Sequence, residues 1–240
     1  MGKKGIEQPQ GFVATFGVQM VDLFIGPTKQ QFRVHKTLLC NRVEYFHKMF
    51  SSGFLEAEEK SGSLPDEEPI VFALFLEYLY GGGRLSPVDV TLSTQSSGPI
   101  VDRIKLYGFA ERICLVELAD YVMTNLISNL KHYERTPSRE GILLAYKETR
   151  TGSSLRRYMS SALYYVMKYE TEDSPWTAEA LCETLKEVDD LLYDLIVVTR
   201  KHEAHIPPAT KKSVDPRIGS KCRFHSHPEN AVCLLKGDIL

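Results

Sequence analysis

The chain lacks the common signatures of catalysis. It has no G-x-x-x-x-G-K-[ST], no G-x-G-x-x-G and no G-x-S-x-G, so neither a phosphate-cradling loop nor a nucleophile elbow is announced. Its one glycine run, Gly81-Gly82-Gly83, follows a helical pattern rather than a strand, which is the wrong order for a phosphate cradle. No apolar run is long enough to cross a bilayer, which predicts no membrane span. The opening residues, MGKKGIEQPQGF, have two lysines with no apolar stretch behind them, so no signal peptide is expected. Ile6 stands where a myristoylation signal needs Ser or Thr. There is no N-x-[ST] glycosylation site, and the five cysteines are an odd number. Cys40, Cys114 and Cys182 sit singly in apolar helical patterns, as reduced thiols do. Together these absences predict an intracellular protein of the cytoplasm or nucleus. An excess of one charge is also missing: 29 Lys and Arg face 31 Asp and Glu, a formal net charge of −2. The whole chain therefore does not advertise a polyanion as partner.

What remains is an ordinary globular composition, 43% hydrophobic and 25% charged over 240 residues, long enough for one or two domains with a real core. Residues 1–17 read as a loose arm. Val21, Leu23 and Ile25 alternate with Asp22 and Phe24, and Phe32 and Val34 flank Arg33. These period-two runs around Gly26-Pro27-Thr28-Lys29 predict a β-hairpin. Thr37 is positioned to cap a helix whose apolar face is Leu39, Val43, Phe46 and Phe50. A short strand is expected around Ser63-Leu64. A further helix starts at Pro69 and runs through Phe72, Phe75, Leu76 and Leu79 to the glycines. Residues 84–100 read as a surface insertion. Helical periodicity resumes at Asp102 and again over 116–131. Beyond about 137 the pattern is helical only: Ser138 opens one helix to Thr149, Ser153 another to Tyr169, and a long helix after Pro175 carries Leu181, Leu185, Val188, Leu192, Leu195 and Val198. Residues 206–221 have three prolines and four basic residues, a linker composition.

Signals in the first half occur in a specific order. They are V-D-L-F-I-G at 21–26, F-R-V-H-K at 32–36, L-L-C-N-R at 38–42, Tyr45-Phe46, G-F-L-E at 53–56, F-x-x-F-L-E-Y-L-Y at 72–80 and L-Y-G-F-A-E-R at 106–112. In this order they resemble a BTB/POZ domain over residues 18–128. The insertion and helical extension look like the fungal group of that family. One departure is Val43-Glu44 where members often carry Ser-Pro. The resemblance implies an α+β fold, a small β-sheet flanked by α-helices, followed by a helical domain over 129–205 and a linker and Cys/His tail over 206–240. It also implies protein partners rather than an enzyme.

Several residues carry this expectation. The resemblance makes His35 a structural histidine tying the hairpin to the next helix. Asp22 and Lys36, on the two hairpin arms, match the charged pocket of BTB dimers and so imply a homodimer. The alternative is a plain intramolecular pair. Phe54 and Glu56 belong to an apolar-x-Glu triplet, Phe54-Leu55-Glu56. In BTB adaptors a triplet in this loop contacts a cullin scaffold, the apolar group anchoring and the carboxylate orienting. The alternative is that the triplet docks the loop on its own core.

The tail reads CRFHSHPENAVC at 222–233. Cys222, His225, His227 and Cys233 are four soft or borderline ligands within twelve residues, enough for one tetrahedral zinc. Pro228-Glu229-Asn230 favours a turn that returns Cys233 to the two histidines. The alternative is a metal-free strand packed through Cys222 and Val232. His202-Glu203-Ala204-His205 falls one residue short of H-E-x-x-H and suits a helix C-terminus. Residues 206–240 carry six Lys or Arg against three Asp or Glu, but no aromatic stacking series accompanies them, so nucleic acid is not expected as a partner. A second functional reading is a nuclear regulatory protein with a zinc-binding tail.

Overall fold

The computed structural model describes residues 16–51, 53–86, 98–204, 211–228, 231–233 and 235. The chain forms two compact units, 1–85 and 86–240. In the first, β1 (Met20–Ile25) pairs antiparallel with β2 (Gln30–His35) and parallel with β3 (Ser61–Leu64), giving the sheet order β2-β1-β3. The hairpin turn falls where the sequence places it, with Gly26 at φ 74° and Lys29 at φ 53°. Val21, Leu23, Ile25 and Val34 are buried, the inward half of the period-two pattern. At Gly62 on β3 a side chain would have no room: an added Cβ would lie 2.8 Å from Met49 Sδ and 3.1 Å from Leu23 Cδ2.

Helices α1 (Lys36–Arg42), α2 (Glu44–Met49), α3 (Leu55–Glu59) and α4 (Pro69–Tyr80) complete this unit. Phe46, Phe72 and Phe75 are fully buried, with centroids 5.9 Å apart for Phe46–Phe75 and 5.5 Å for Phe72–Phe75, and Phe32 meets Phe72 edge-on at 5.1 Å. Two expectations are corrected here. The helix after the hairpin begins at Lys36 with His35 as its N-cap residue, so Thr37 lies inside it and caps nothing. The apolar face from Leu39 to Phe50 also spans two helices, because Val43 is extended at φ −136°, ψ 108°. Arg42 closes the last turn of α1 and Glu44 opens the first turn of α2, so each helix carries the charge its own dipole favours.

The second unit is helical: α5 (Pro99–Arg112), α6 (Val116–His132), α7 (Arg139–Glu148), α8 (Ser154–Tyr169), α9 (Ala178–Glu187), α10 (Asp189–Glu203) and a short α11 (Lys211–Val214), with a 3₁₀ turn at Lys221–Phe224. Ser138 accepts from Gly141 N–H and Ser153 from Leu155 N–H, as their positions predict. The long helix expected after Pro175 is two helices. Val188 is extended at φ −140°, ψ 105°, with Lys186 in the last turn of α9, Glu187 as its final residue, and Asp189 and Asp190 opening α10. The extended valine repeats the break at Val43, although an acidic residue, Glu187, precedes it here. The sequence-assigned first domain, 18–128, reaches into this unit through α5 and α6, and most of the predicted insertion at 84–100 lies outside the described residues.

Where it is described, the 211–228 segment is packed rather than linker-like. Val214 and Phe224 are buried, Phe224 meets Tyr158 edge-on at 5.2 Å, and Arg217 lies over the Tyr165 ring. Arg217 donates to both oxygens of the buried Asp215 at 2.9 and 2.8 Å and to Arg135 O at 2.9 Å. Lys221 Nζ donates to Ser128 Oγ at 2.5 Å. Arg217 and Lys221, two of the six basic residues of the tail, are thus engaged within the fold. Burial pushes the Asp215 carboxyl upward, but hydrogen bonds from Arg217 outweigh it and hold the group below its ordinary 3.8. A depressed carboxyl stabilises the fold above its unfolded value and ceases to as pH falls through the folded one. The urea midpoint of Asp215→Asn should therefore lie well below wild type at about pH 6, and the gap should narrow as the pH falls below the ordinary 3.8. A gap that is the same above and below that value would show that the Asp215 charge stabilises nothing.

Candidate functional site

In the first unit, two surfaces carry the sequence-predicted residues. Asp22 does not meet Lys36. It lies opposite Arg33 in the hairpin register, and the guanidinium makes two parallel bonds to its carboxylate, Nε to Oδ1 and Nη2 to Oδ2, both 2.8 Å. That hydrogen bond, above the opposing effect of burial, holds the Asp22 carboxyl below its ordinary value. The intramolecular pair is therefore real, but with a different cation. Lys36 begins α1, its backbone N–H donates to Gln19 O at 2.8 Å, and its side chain has no ion-pair partner among the described residues.

The Phe54-Leu55-Glu56 triplet sits at the start of α3. Phe54 is the extended residue before the helix, and Ala57 N–H returns to its carbonyl at 3.1 Å. Phe54 is 56% exposed and Leu55 64%, so the triplet does not dock on its own core. Glu56 is half-buried. It stands near enough to the partly exposed Tyr45 to raise the tyrosine hydroxyl, after burial and the Glu67 charge. Two large exposed apolar side chains, Phe54 and Leu55, thus stand next to the half-buried carboxylate of Glu56 in the chain. His35 ties the hairpin not to the next helix but to the end of α4: its Nδ1 lies 2.9 Å from Tyr80 Oη, and its backbone N–H donates to the same oxygen at 3.1 Å.

In the second unit, Cys222, His225, His227 and Cys233 converge, with one ligand atom from each within 4.8 Å of all the others. The 3₁₀ turn brings this about: His225 N–H donates to Cys222 O at 3.1 Å, placing the two residues one turn apart. After Pro228 the chain turns back, Ala231 N–H reaching Pro228 O at 3.0 Å. Glu229 and Asn230 lie outside the described residues. His225 Nδ1 is 3.3 Å from His227 Nε2 and 3.5 Å from Cys233 Sγ. The metal-free strand alternative is not what forms: Cys222 is in the 3₁₀ turn and Val232 is 85% exposed.

The sequence reading missed the groups behind this cluster. Thr124 and Asp120 are buried on α6, one turn apart. Thr124 Oγ1 lies 2.8 Å from His225 Nε2. Asp120 accepts from the backbone N–H groups of Ser226 at 2.6 Å and His227 at 3.3 Å. From α8, Ser154 donates to His225 O at 3.2 Å. Asp120 and Thr124 are the polar i, i+4 pair among otherwise apolar buried residues of α6, and that spacing was the available signal. Burial lowers His225 and favours its neutral ring. Burial opposes the Cys222 thiolate, yet hydrogen bonds from Cys233, His227 and Ser220 hold the thiol below its ordinary value. These four side chains can hold a metal ion.

The near-miss at His202 is structural. Its ring stacks on Tyr164 at 5.0 Å, and Glu203 accepts from Tyr164 Oη and Lys168 Nζ, each at 2.7 Å. His205 lies outside the described residues. Among the described residues no helix is long and apolar enough to cross a membrane. Comparison with protein families finds that residues 15–96 match the family model of the BTB/POZ domain, about a third of the chain. The matched segment contains the small three-stranded sheet and its flanking helices, and a helical region follows it.

Proposed function

We propose that this protein is an intracellular adaptor, in cytoplasm or nucleus and not an enzyme, whose BTB domain recruits it to a cullin-type ubiquitin ligase scaffold through Phe54 and Glu56. A BTB/POZ domain is a general protein–protein interaction module, and the matched segment supplies that much. The finer reading rests on one observation, the outward presentation of Phe54 and Leu55 beside Glu56. Exposed aromatic anchors next to an orienting carboxylate are what a protein interface uses. Self-association through Asp22 and Lys36 is the companion proposal, with Lys36 the available charge and Asp22 already held by Arg33. The domain limits of 18–128, 129–205 and 206–240, and the fungal character of the chain, belong to the same reading.

Purified cullin scaffold should be retained by the wild-type protein. Phe54→Ala should weaken that binding by about 2 kcal/mol, roughly thirty-fold in Kd, and Glu56→Lys should weaken it further by reversing a charge at the rim. Far-UV circular dichroism should be unchanged in both, because neither side chain is in the core. No retention of the wild type would remove the ligase reading. A monomeric mass in light scattering would remove the dimer.

A second reading, a regulatory protein with a zinc-binding tail, is supported in its metal part by the convergence of Cys222, His225, His227 and Cys233. Two thiols and two imidazoles in a compact group suit tetrahedral zinc.

A further inference from the structure

Two of the ligand separations match edges of a zinc coordination tetrahedron, and all four ligand atoms lie within 4.8 Å of one another. Zinc bonds of about 2.0–2.1 Å to nitrogen and about 2.3 Å to sulfur give tetrahedral edges of about 3.3 Å for N···N and about 3.5 Å for N···S. The separations are 3.3 Å between His225 Nδ1 and His227 Nε2 and 3.5 Å between His225 Nδ1 and Cys233 Sγ. The outward nitrogens are partnered too. His225 Nε2 faces Thr124 Oγ1 at 2.8 Å, and His227 Nδ1 faces the carbonyl of Pro228 at 2.9 Å. With the inner nitrogens on a metal, each outer nitrogen carries a proton and donates it, which fixes tautomer and ring orientation.

The ligands are held unequally. Phe224 is buried, and α6 and α8 grip the backbone of 225–227 through Asp120 and Ser154. Among the described residues, 231–233 receive no side-chain hydrogen bond from α6 or α8. Ala231 and Val232 are exposed, and Cys233 is the only side chain there that points inward.

We propose that a zinc ion on Cys222, His225, His227 and Cys233 clasps the end of the chain onto α6 and α8, with Thr124 and Asp120 as the positioning residues that set the ligand loop. This rests on the zinc reading above and adds what the ion does. Four protein ligands close the site, so the ion is structural and offers no open position to a substrate. Because Cys233 is the buried side chain among the described residues 231–233 of its limb, metal binding and tail docking are one equilibrium.

The test uses the full-length chain. Wild-type protein loaded with zinc and freed of excess should retain one equivalent, and cobalt substitution should give the strong visible absorption of a tetrahedral S₂N₂ site. Removing the metal with a chelator should speed hydrogen exchange at Ala231, whose amide reaches Pro228 O, and expose the limb carrying Cys233 to protease. Thr124→Val should weaken zinc about 10–100-fold in chelator competition, while Thr124→Ser, which keeps the hydroxyl, should restore it. If neither zinc nor cobalt is retained, the zinc reading falls and the clasp with it. If one equivalent is retained but chelation leaves exchange and proteolysis unchanged, the zinc reading stands and the clasp is wrong. Equal zinc affinity in Thr124→Val and wild type would remove the positioning role.

Discussion

Arg156→Ala should destabilise the helical unit by about 3 kcal/mol. Arg156 is buried, and its guanidinium sits at the C-terminal end of α7. It donates to Tyr146 O at 2.7 Å, to Thr149 O, and to Thr149 Oγ1 at 3.3 Å, and it pairs with Asp190 on α10 at 2.6 Å. Thr149 Oγ1 takes the neighbouring carbonyl of Ala145 at 2.5 Å. The last turn of a helix leaves its carbonyls without partners, and here a cation supplies them where the helix dipole is negative. The guanidinium also lies 4.9 Å from the centroid of the Tyr146 ring, whose hydroxyl donates to Asp194 at 2.7 Å. Truncation removes this at one stroke and leaves buried carbonyls unmatched. Asp190 is over half exposed, so water takes up part of the loss, which keeps the figure below that of a fully enclosed pair. Trp176, the only tryptophan, is buried in this unit, so its fluorescence reports unfolding directly. The urea midpoint should fall by about 1.5 M for a slope near 2 kcal/mol/M. A shift smaller than about 0.5 M would mean that the carbonyls find other donors and that the arginine is dispensable.

Phe75→Ala should cost the first unit about 3–5 kcal/mol. The ring is fully buried between Phe46 and Phe72, and the three join two helices that no hydrogen bond ladder connects. Removing it loses the transfer free energy of the ring and leaves a cavity that the close-packed neighbours fill only in part. A unit of this size has a total stability of only several kcal/mol, so the variant should stand close to its unfolding midpoint in plain buffer. The readout is a reduced far-UV dichroism signal and an early thermal transition, with Trp176 fluorescence still native because that residue belongs to the other unit. A first transition within about 1 kcal/mol of wild type would show that the aromatic cluster is not what holds the sheet to its helices.

The early breaks at Val43 and Val188 explain why periodicity misjudged two helices. Each valine lies between buried positions whose spacing fits one continuous helix, so the apolar pattern cannot register a single extended residue. The charge order could have done so. At Val43 the succession Arg42, valine, Glu44 reads as the end of one helix dipole and the start of the next, while at Val188, which follows Glu187, only the Asp189-Asp190 pair after it carries that signal. Thr37 failed for a related reason: a good capping residue is only a candidate until the chain direction before it is known. The Asp22–Arg33 pair was open to sequence, since a hairpin turning at 26–29 places these two residues opposite each other. Matching Asp22 to Lys36 by resemblance passed over that register.

What the sequence by itself determined is local. The hairpin, the caps at Ser138 and Ser153, the Pro69 helix start and the glycine stop after Tyr80 each depend on a few neighbouring residues, whose conformational limits act whatever surrounds them. The ordered motifs of the first half and the ligand spacing of the tail were legible for the same reason. What only the tertiary structure decided joins residues far apart in the chain. Tyr80 reaches His35 across 45 positions, and Thr124 and Asp120 meet the tail across about a hundred. No propensity or period encodes such a pairing. It arises because burying the apolar faces of α6 and α8 leaves their few polar groups needing partners, and the returning tail is the segment that brings them.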